Sequence, residues 1–265
     1  RVPSMDELTL YFDFVKGVTV DTIIFDGNHE ATRKHKTFFT NLKRVTEELN
    51  PKVKVITETF YLHDWAILPY ADLHRKGSIE DIDDVDYLFT HVRGEIPPHV
   101  TPEVDLERFD KFKIVFAGDL HAHENTQRNI VYPGSPMTTS FHRNVVKTGY
   151  LLIDDDWSWT WHEFDLPQLL RKTVSSTEEM VQTEWHHTIY EVEGDVSDLS
   201  GVKNSDLLDK KVIKRKTEAT LILDKEMTIE EELAEYLSYI LELEETKVKK
   251  IIGVFSDNSR KANME

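Results

Sequence analysis

Four short stretches carry residues able to do chemistry: Asn28 and His29 in FDGNHE, His91 in LFTHVRGEI, Asp119 and His121 in FAGDLHAHEN, and Gly134 to Pro136 in YPGSP. Each follows a short apolar run, so each is expected at the C-terminal end of a buried strand, where ligand sites of open α/β sheets gather. Neutral imidazoles, an amide oxygen and carboxylates suit manganese, iron or zinc better than magnesium alone. Two such ions roughly 3.5–4 Å apart activate a water and neutralise a phosphoryl transition state. One histidine in such a position means little, whereas three in the same topological position mean more. An imidazole outside the ligand set can deliver a proton to a leaving oxygen, because its pKa sits near working pH. His29 is the candidate for that role.

The elements that must position these residues are legible in outline. Ser4-Met5-Asp6-Glu7 has the capping-box pattern and predicts a helix to about Gly17, with Leu8, Leu10, Tyr11, Phe14 and Val15 as its apolar stripe. Thr22 to Phe25 reads as a strand buried on both faces. Residues 31–49 read as one helix with Phe38, Phe39, Leu42 and Val45 inward, stopped by Asn50-Pro51. Further strands are predicted over 53–56, 87–90, 113–117 and 130–132, which together make a layered α/β domain. Residues 149–154 and 157–164 read as a closing hairpin. EFDLPQLLR, residues 163–171, has the Pro-bearing look of a connector and places a domain boundary near residue 165. Beyond it the pattern predicts strands over 187–192, 217–223 and 247–255, and a helix capped by Thr228 that runs through Leu243.

The bulk numbers narrow the setting. The chain's 265 residues, 39% of them hydrophobic, are enough for a sizeable core. With 31% charged residues and no apolar run near the ~18 residues of a membrane span, a soluble protein without a membrane segment is expected. The absence of cysteine excludes a disulfide framework and thiolate zinc sites and fits a reducing compartment, so a cytoplasmic location is expected. The net charge of −17 opposes unaided, nonspecific attraction to nucleic acid. That objection weakens if some carboxylates bind divalent cations, or if a partner supplies the basic surface. Lys210, Lys211, Lys214, Arg215 and Lys216 form a basic run in this acidic chain. It reads either as a solvated edge strand guarded by lysines or as a DNA phosphate-contacting strand.

GNHE, the isolated His91 after an apolar strand, and G-x-x-H followed by YPGSP resemble the later motifs of calcineurin-like metallophosphoesterases. YPGSP and the hairpin after it more narrowly resemble the SbcD branch, the nuclease subunit of SbcCD and MRE-type double-strand-break complexes, and in particular its phage exonuclease subunits. The resemblance covers residues 20–165 and reaches the rest only by position and size. It implies a four-layer αββα metallophosphoesterase sandwich over residues 1–165 and a smaller α+β capping, DNA-binding domain over 166–265. It implies Asn28, His91, Asp119 and His121 as metal ligands, His29 as the catalytic histidine at the scissile phosphate, and two divalent ions, Mn2+ or else Mg2+. It further implies hydrolysis of DNA phosphodiester bonds in end processing, repair or recombination, with double-stranded DNA ends, an SbcC-like ATPase of the SMC class and a second copy of the chain as partners. The homodimer would form through the helices at 5–17 and 31–49, which an exposed Phe38 or Phe39 would support.

Two departures from the family pattern stand out. Asp119 stands where the family usually has histidine, and an aspartate there shifts the site toward harder metals. His123 offers a competing H-x-H pairing with His121. The family's D-x-H and G-D-x-x-D elements are not in this sequence, which implies that it begins just after the second of them and binds two metals poorly by itself. Other expectations remain open: a metallophosphoesterase acting on small nucleotides or phosphoproteins, or a catalytically idle scaffold that holds DNA ends. His35, His63, His74, His99 and His142 read as structural residues.

Overall fold

A computed structural model describes residues 3–33, 36–181, 185–193, 205, 207–208, 211–214, 228–240 and 243–262. The chain divides into two compact units, Arg1–Leu170 with Trp185–His187, and Arg171–Glu184 with Thr188–Glu265. No described helix is long and apolar enough to cross a membrane.

In chain order the first unit comprises α1 (Met5–Gly17), β1 (Thr22–Phe25), a 3-10 turn (Asn28–Glu30), β2 (Ala31–Arg33), β3 (Lys36–Thr37), α2 (Phe39–Leu49), β4 (Val53–Ile56), β5 (Phe60–Leu62), β6 (Trp65–Leu68), α3 (Tyr70–Leu73), β7 (Tyr87–His91), β8 (Ile114–Gly118), β9 (Ile130–Val131), β10 (Gly149–Ile153) and β11 (Trp159–Glu163). The fold is thus mixed α/β. The start of α1 is set locally: Ser4 Oγ accepts from the Glu7 amide at 3.2 Å, while the Glu7 carboxylate accepts from the Ser4 amide at 2.7 Å. Such a cap stabilises a helix by about 1 kcal/mol. Its other end is tied to the residue after α2, where Asn50 Nδ2 donates to the carbonyls of Val15 and Val18 at 2.8 and 2.9 Å.

The single helix expected over 31–49 begins only at Phe39. Before it, β2 and β3 form a short antiparallel ribbon, in which the Thr32 hydroxyl donates to the Lys36 carbonyl at 3.2 Å. A β-branched side chain that bonds backbone in this way competes with helix formation. β1 also departs from expectation. It pairs in parallel with β4 in a two-stranded sheet, and Ile23 is 42% exposed rather than buried.

The main sheet runs β5-β6-β7-β8-β9, antiparallel between β5 and β6 and parallel beyond. Side chains alternate across β7 with the period of two. Leu88 and Thr90 are fully buried on one face, and Leu88 packs with Leu68, Val115, Ile130, Phe109 and Tyr132 in the core cluster. On the other face Phe89 stacks on Phe116 at 5.1 Å and meets the edge of Trp65 at 5.5 Å. Tyr87 stacks at 4.1 Å on Trp157, from the turn of the antiparallel β10–β11 hairpin. Both faces being covered explains the nearly continuous apolar runs of β7 and β8.

The second unit holds most of β12 (Leu169–Val174) and β13 (His187–Glu193), then β14 (Lys211–Lys214), forming a three-stranded sheet in that order with β13 and β14 parallel. α4 (Ile229–Glu235), capped by Thr228, runs into a π-helical turn (Tyr236–Ile240), and α5 (Glu245–Ala262) follows. α5 replaces the strand expected over 247–255. Val248, Ile251, Ile252 and Phe255 recur at helical spacing, and Glu245 pairs with Lys249 one turn on. The strand expected over 217–223 lies outside the described residues.

Candidate metal centre

Three strands of the first unit, β1 and the parallel pair β7 and β8, end close together, and each delivers one polar side chain. Asn28 sits in the 3-10 turn after β1, His91 is the last residue of β7, and Asp119 follows Gly118 at the end of β8. Their side chains form a closed ring. Asn28 Nδ2 donates to Asp119 Oδ1 at 3.1 Å, Asn28 Oδ1 faces His91 Nε2 at 3.2 Å, and that Nε2 lies 3.5 Å from Asp119 Oδ1. Both neighbours of Nε2 are oxygens, so Nε2 carries the hydrogen in this arrangement.

Glycine makes the ring possible. A Cβ on Gly118 would lie 2.6 Å from His91 Nδ1, and one on Gly27 would lie 2.7 Å from His91 Cε1. The imidazole is therefore held in a slot between two glycine backbones, and Tyr70 presents a ring edge to it at 5.7 Å. Asp119 has a φ of +104°, a conformation that a non-glycine residue rarely adopts and that costs on the order of 1–3 kcal/mol. Burial pushes its carboxyl upward, but His91 and the Arg93 guanidinium, 3.5 Å from Oδ2, together hold it below the ordinary carboxylate range. It is an anion at neutral pH. Tyr70 is pushed up to about 12, by burial first and then by its bond to Glu103, so its hydroxyl keeps its proton.

The other expected residues are placed differently. His29 is exposed and lines a cavity of about 300 Å³ with Tyr11, Phe38 and Leu42 from the α1 and α2 region. His121 bonds Thr139 Oγ1 through Nδ1 at 3.0 Å and lines a second cavity of about 320 Å³. His123, the competing partner, lies flat on Trp161 at 5.3 Å and donates from Nδ1 to the Tyr132 carbonyl at 2.6 Å. YPGSP braces this loop from below: Gly134, with φ +81°, brings its backbone against His121, whose carbonyl accepts from the Ser135 amide at 2.9 Å. Lys211 and Lys214 lie on β14, whereas Lys210, Arg215 and Lys216 lie outside the described residues.

A protein named "Probable exonuclease subunit 1", from Escherichia phage T5, is 37% identical over 260 residues, which cover 95% of this chain and 79% of that protein. The chain belongs to the exonuclease subunit 1 family. No protein-family model matches it.

For this family member, the fit of the cluster to a divalent ion rests on its donor set. An ion ligated at ~2.1 Å holds its donors roughly 3.0–3.4 Å apart, close to the 3.1–3.5 Å spacing of the ring. Asn28 would turn its oxygen, and His91 would give up its Nε2 hydrogen, to face the ion. Among the described residues, no three His, Cys, Asp or Glu side chains stand together as a metal set, and the ring meets three donors only by counting the amide. Sequence reasoning missed Arg93, Tyr70 and the two glycines. Arg93 had a usable signal, lying two residues after His91 in HVRGEI. The glycines act through the space they leave, for which a single sequence carries no sign.

Proposed function

We propose that the chain is a metal-dependent DNA nuclease subunit of the SbcD type, which hydrolyses phosphodiester bonds without a covalent intermediate. The observation that carries this reading is the ring of Asn28, His91 and Asp119, gathered from three strand ends into one anionic, partly buried site. The name of the relative from phage T5 supports the substrate class and membership of a multi-subunit enzyme. Asn28, His91 and Asp119 would hold a divalent cation, Mn2+ or Mg2+, and the resemblance implies a second ion and His121 as a further ligand. Such a cation, when bound, polarises a phosphoryl oxygen and lowers the pKa of an attendant water.

The chain's own groups do the rest. Arg93, 42% exposed beside Asp119, can turn its free N–H groups to a phosphate oxygen, which fixes the scissile group against the ring. Tyr70 and the two glycine backbones keep the imidazole from rotating away. His29, adjacent to Asn28 and open to solvent, supplies the proton to the leaving oxygen. An SbcC-like ATPase and double-stranded DNA ends are the proposed partners, with the β14 lysines as phosphate contacts. A homodimer through α1 is part of the same reading. Phe39 is buried against Tyr11 and gives that dimer no support, while Leu10 and Phe14 are 73% and 58% exposed.

Two measurements test the reading: Mn2+ binding by calorimetry, and Mn2+-dependent cleavage of linear duplex DNA compared with p-nitrophenyl phosphate. Asp119→Asn should weaken binding by tenfold or more and remove cleavage. His29→Ala should remove cleavage and leave Mn2+ binding unchanged. Unaltered Mn2+ affinity in Asp119→Asn would end the proposal, and a preference for the small ester would move the substrate from DNA to small phosphates.

A further inference from the structure

Arg93 is half-exposed, yet the backbone around it is held at three successive points. The fully buried Tyr132 donates its hydroxyl to the Val92 carbonyl at 3.1 Å, and the Arg93 amide donates to Glu103 Oε1 at 2.9 Å. One step on, Gln127 Oε1 accepts from the Glu95 amide at 2.9 Å and Gln127 Nε2 donates to the Glu95 carbonyl at 3.1 Å. Between them Gly94 is pressed so close that a Cβ there would lie 2.7 Å from Gln127 Nε2 and 2.8 Å from Tyr132 Oη. Surface loops are ordinarily the more mobile parts of a fold. Here the backbone is fixed and the guanidinium alone is left to turn, which is what an oriented charge requires.

Glu103 joins this loop to a second element. Its side chain is 13% exposed, and Oε2 accepts from the Tyr70 hydroxyl at 3.0 Å and faces His74 Nε2 at 3.3 Å, at the two ends of α3. A carboxylate has about four lone-pair sites, and three are taken up here. α3 is only four residues long, too short to persist by itself, so it is a firm brace only because it is tied elsewhere. The Tyr70 amide donates to the Asp26 carbonyl at 3.2 Å and the Ala71 amide to Asp26 Oδ2 at 3.1 Å, at the end of β1. The bonds of Glu103 among the described residues go to Arg93, Tyr70 and His74 and to no member of the ring. Its route to the chemistry is the Arg93 guanidinium, 3.5 Å from Asp119 Oδ2.

We propose that Glu103 is a positioning residue, which braces the Arg93 backbone against α3 so that the guanidinium is aimed at the phosphate beside Asp119. The identity of that phosphate rests on the nuclease reading; the brace itself does not.

The whole chain is assayed on linear duplex DNA with Mn2+, and its 1H–15N spectrum is recorded without metal. Glu103→Ala should raise KM about tenfold, as for the loss of one hydrogen bond to a charged group, and change kcat by less than about twofold. In an Arg93→Met background the same substitution should raise KM no further, because the group it positions is gone. Glu103→Gln, whose amide oxygen still accepts from the Arg93 amide, should keep KM within about threefold of the parent chain. Tyr70→Phe removes one bond of the brace, leaves the ring edge on His91, and should raise KM by a smaller factor than Glu103→Ala. In the spectrum, Glu103→Ala should move the Arg93 amide upfield and speed its hydrogen exchange by about tenfold or more. Glu107→Gln, which removes an exposed carboxylate four residues on, should change neither KM nor that signal. If Glu103→Ala does not fold, Tyr70→Phe and its cycle with Arg93→Met read the same brace. Unchanged KM in Glu103→Ala, a second tenfold rise in the Arg93→Met background, a Gln variant as impaired as the Ala variant, or an unmoved Arg93 amide would overturn the proposal. A parent chain that cleaves no DNA, with the amide responding as expected, would sink the nuclease reading and leave the brace standing.

Discussion

The slot around His91 makes a quantitative prediction. A Cβ on Gly118 would meet His91 Nδ1, Cε1 and Cγ at 2.6, 3.3 and 3.5 Å, so the ring must retreat by roughly 0.8 Å to regain ordinary contact. It has little room to do so, with Gly27 on another side and Asn28 and Asp119 bonded at its tip. Overpacking of this kind costs about 1–3 kcal/mol. At roughly 2–4 °C per kcal/mol for a unit of this size, Gly118→Ala should lower the Tm by about 2–12 °C. The control is a double-mutant cycle with His91→Ala, measured by urea denaturation. Without the ring the steric cost disappears. The Gly118 φ lies outside the left-handed region, so the added methyl should then stabilise by ~0.4–1 kcal/mol through the unfolded chain. A sign change between the two backgrounds is therefore expected. The same destabilisation with and without the imidazole would refute the slot, and so would no effect in either.

Other outcomes follow from single features. Leu88→Ala removes a fully buried side chain at the centre of the main sheet and should cost about 2–5 kcal/mol by urea denaturation. Glu80 is lowered to about 2, chiefly by its two-pronged bond to Arg108, with N–O distances of 2.6 and 2.8 Å. A depressed acid stabilises the fold above its unfolded pKa near 4.5 and loses that contribution as pH falls toward 2. Arg108→Met should thus destabilise the fold slightly at pH 7, by less than about 1 kcal/mol for so exposed a pair, with the difference closing between pH 4.5 and 2. A difference that persists at pH 2 would mean Arg108 acts by packing. Trp157→Ala removes the half-buried ring stacked on Tyr87 and the indole bond to Asp64 at 2.9 Å, and should cost about 1–2 kcal/mol by the same denaturation.

The parts of the fold that were legible in the sequence are those decided locally. Ser4 and Glu7 announce α1, and Thr228 and Glu231 announce α4, because a cap is made within four residues. The ends of β1, β7 and β8 could be found because apolar runs stop there at polar residues. The errors came where tertiary contact outweighs local pattern. Residues 31–33 and 36–37 have helix-compatible composition but pair as a ribbon, and β5 and β6 went unnoticed because their turn uses His63 at φ +51° instead of glycine or asparagine. In the site, residue types near strand ends picked out Asn28, His91 and Asp119. Nothing in one sequence distinguishes which histidine of HAH faces a cavity and which lies flat on Trp161, since the hairpin that decides it is almost forty residues away.

Asn28 and Asp119 are separated by 91 positions and touch only because folding brings the end of β1 against the end of β8. During synthesis, at about 5–20 residues per second, the ring therefore stays unassembled for several seconds after Asn28 is made, until Asp119 has left the ribosome. If the ring holds the proposed cation, that ion binds the folded unit and not the nascent chain.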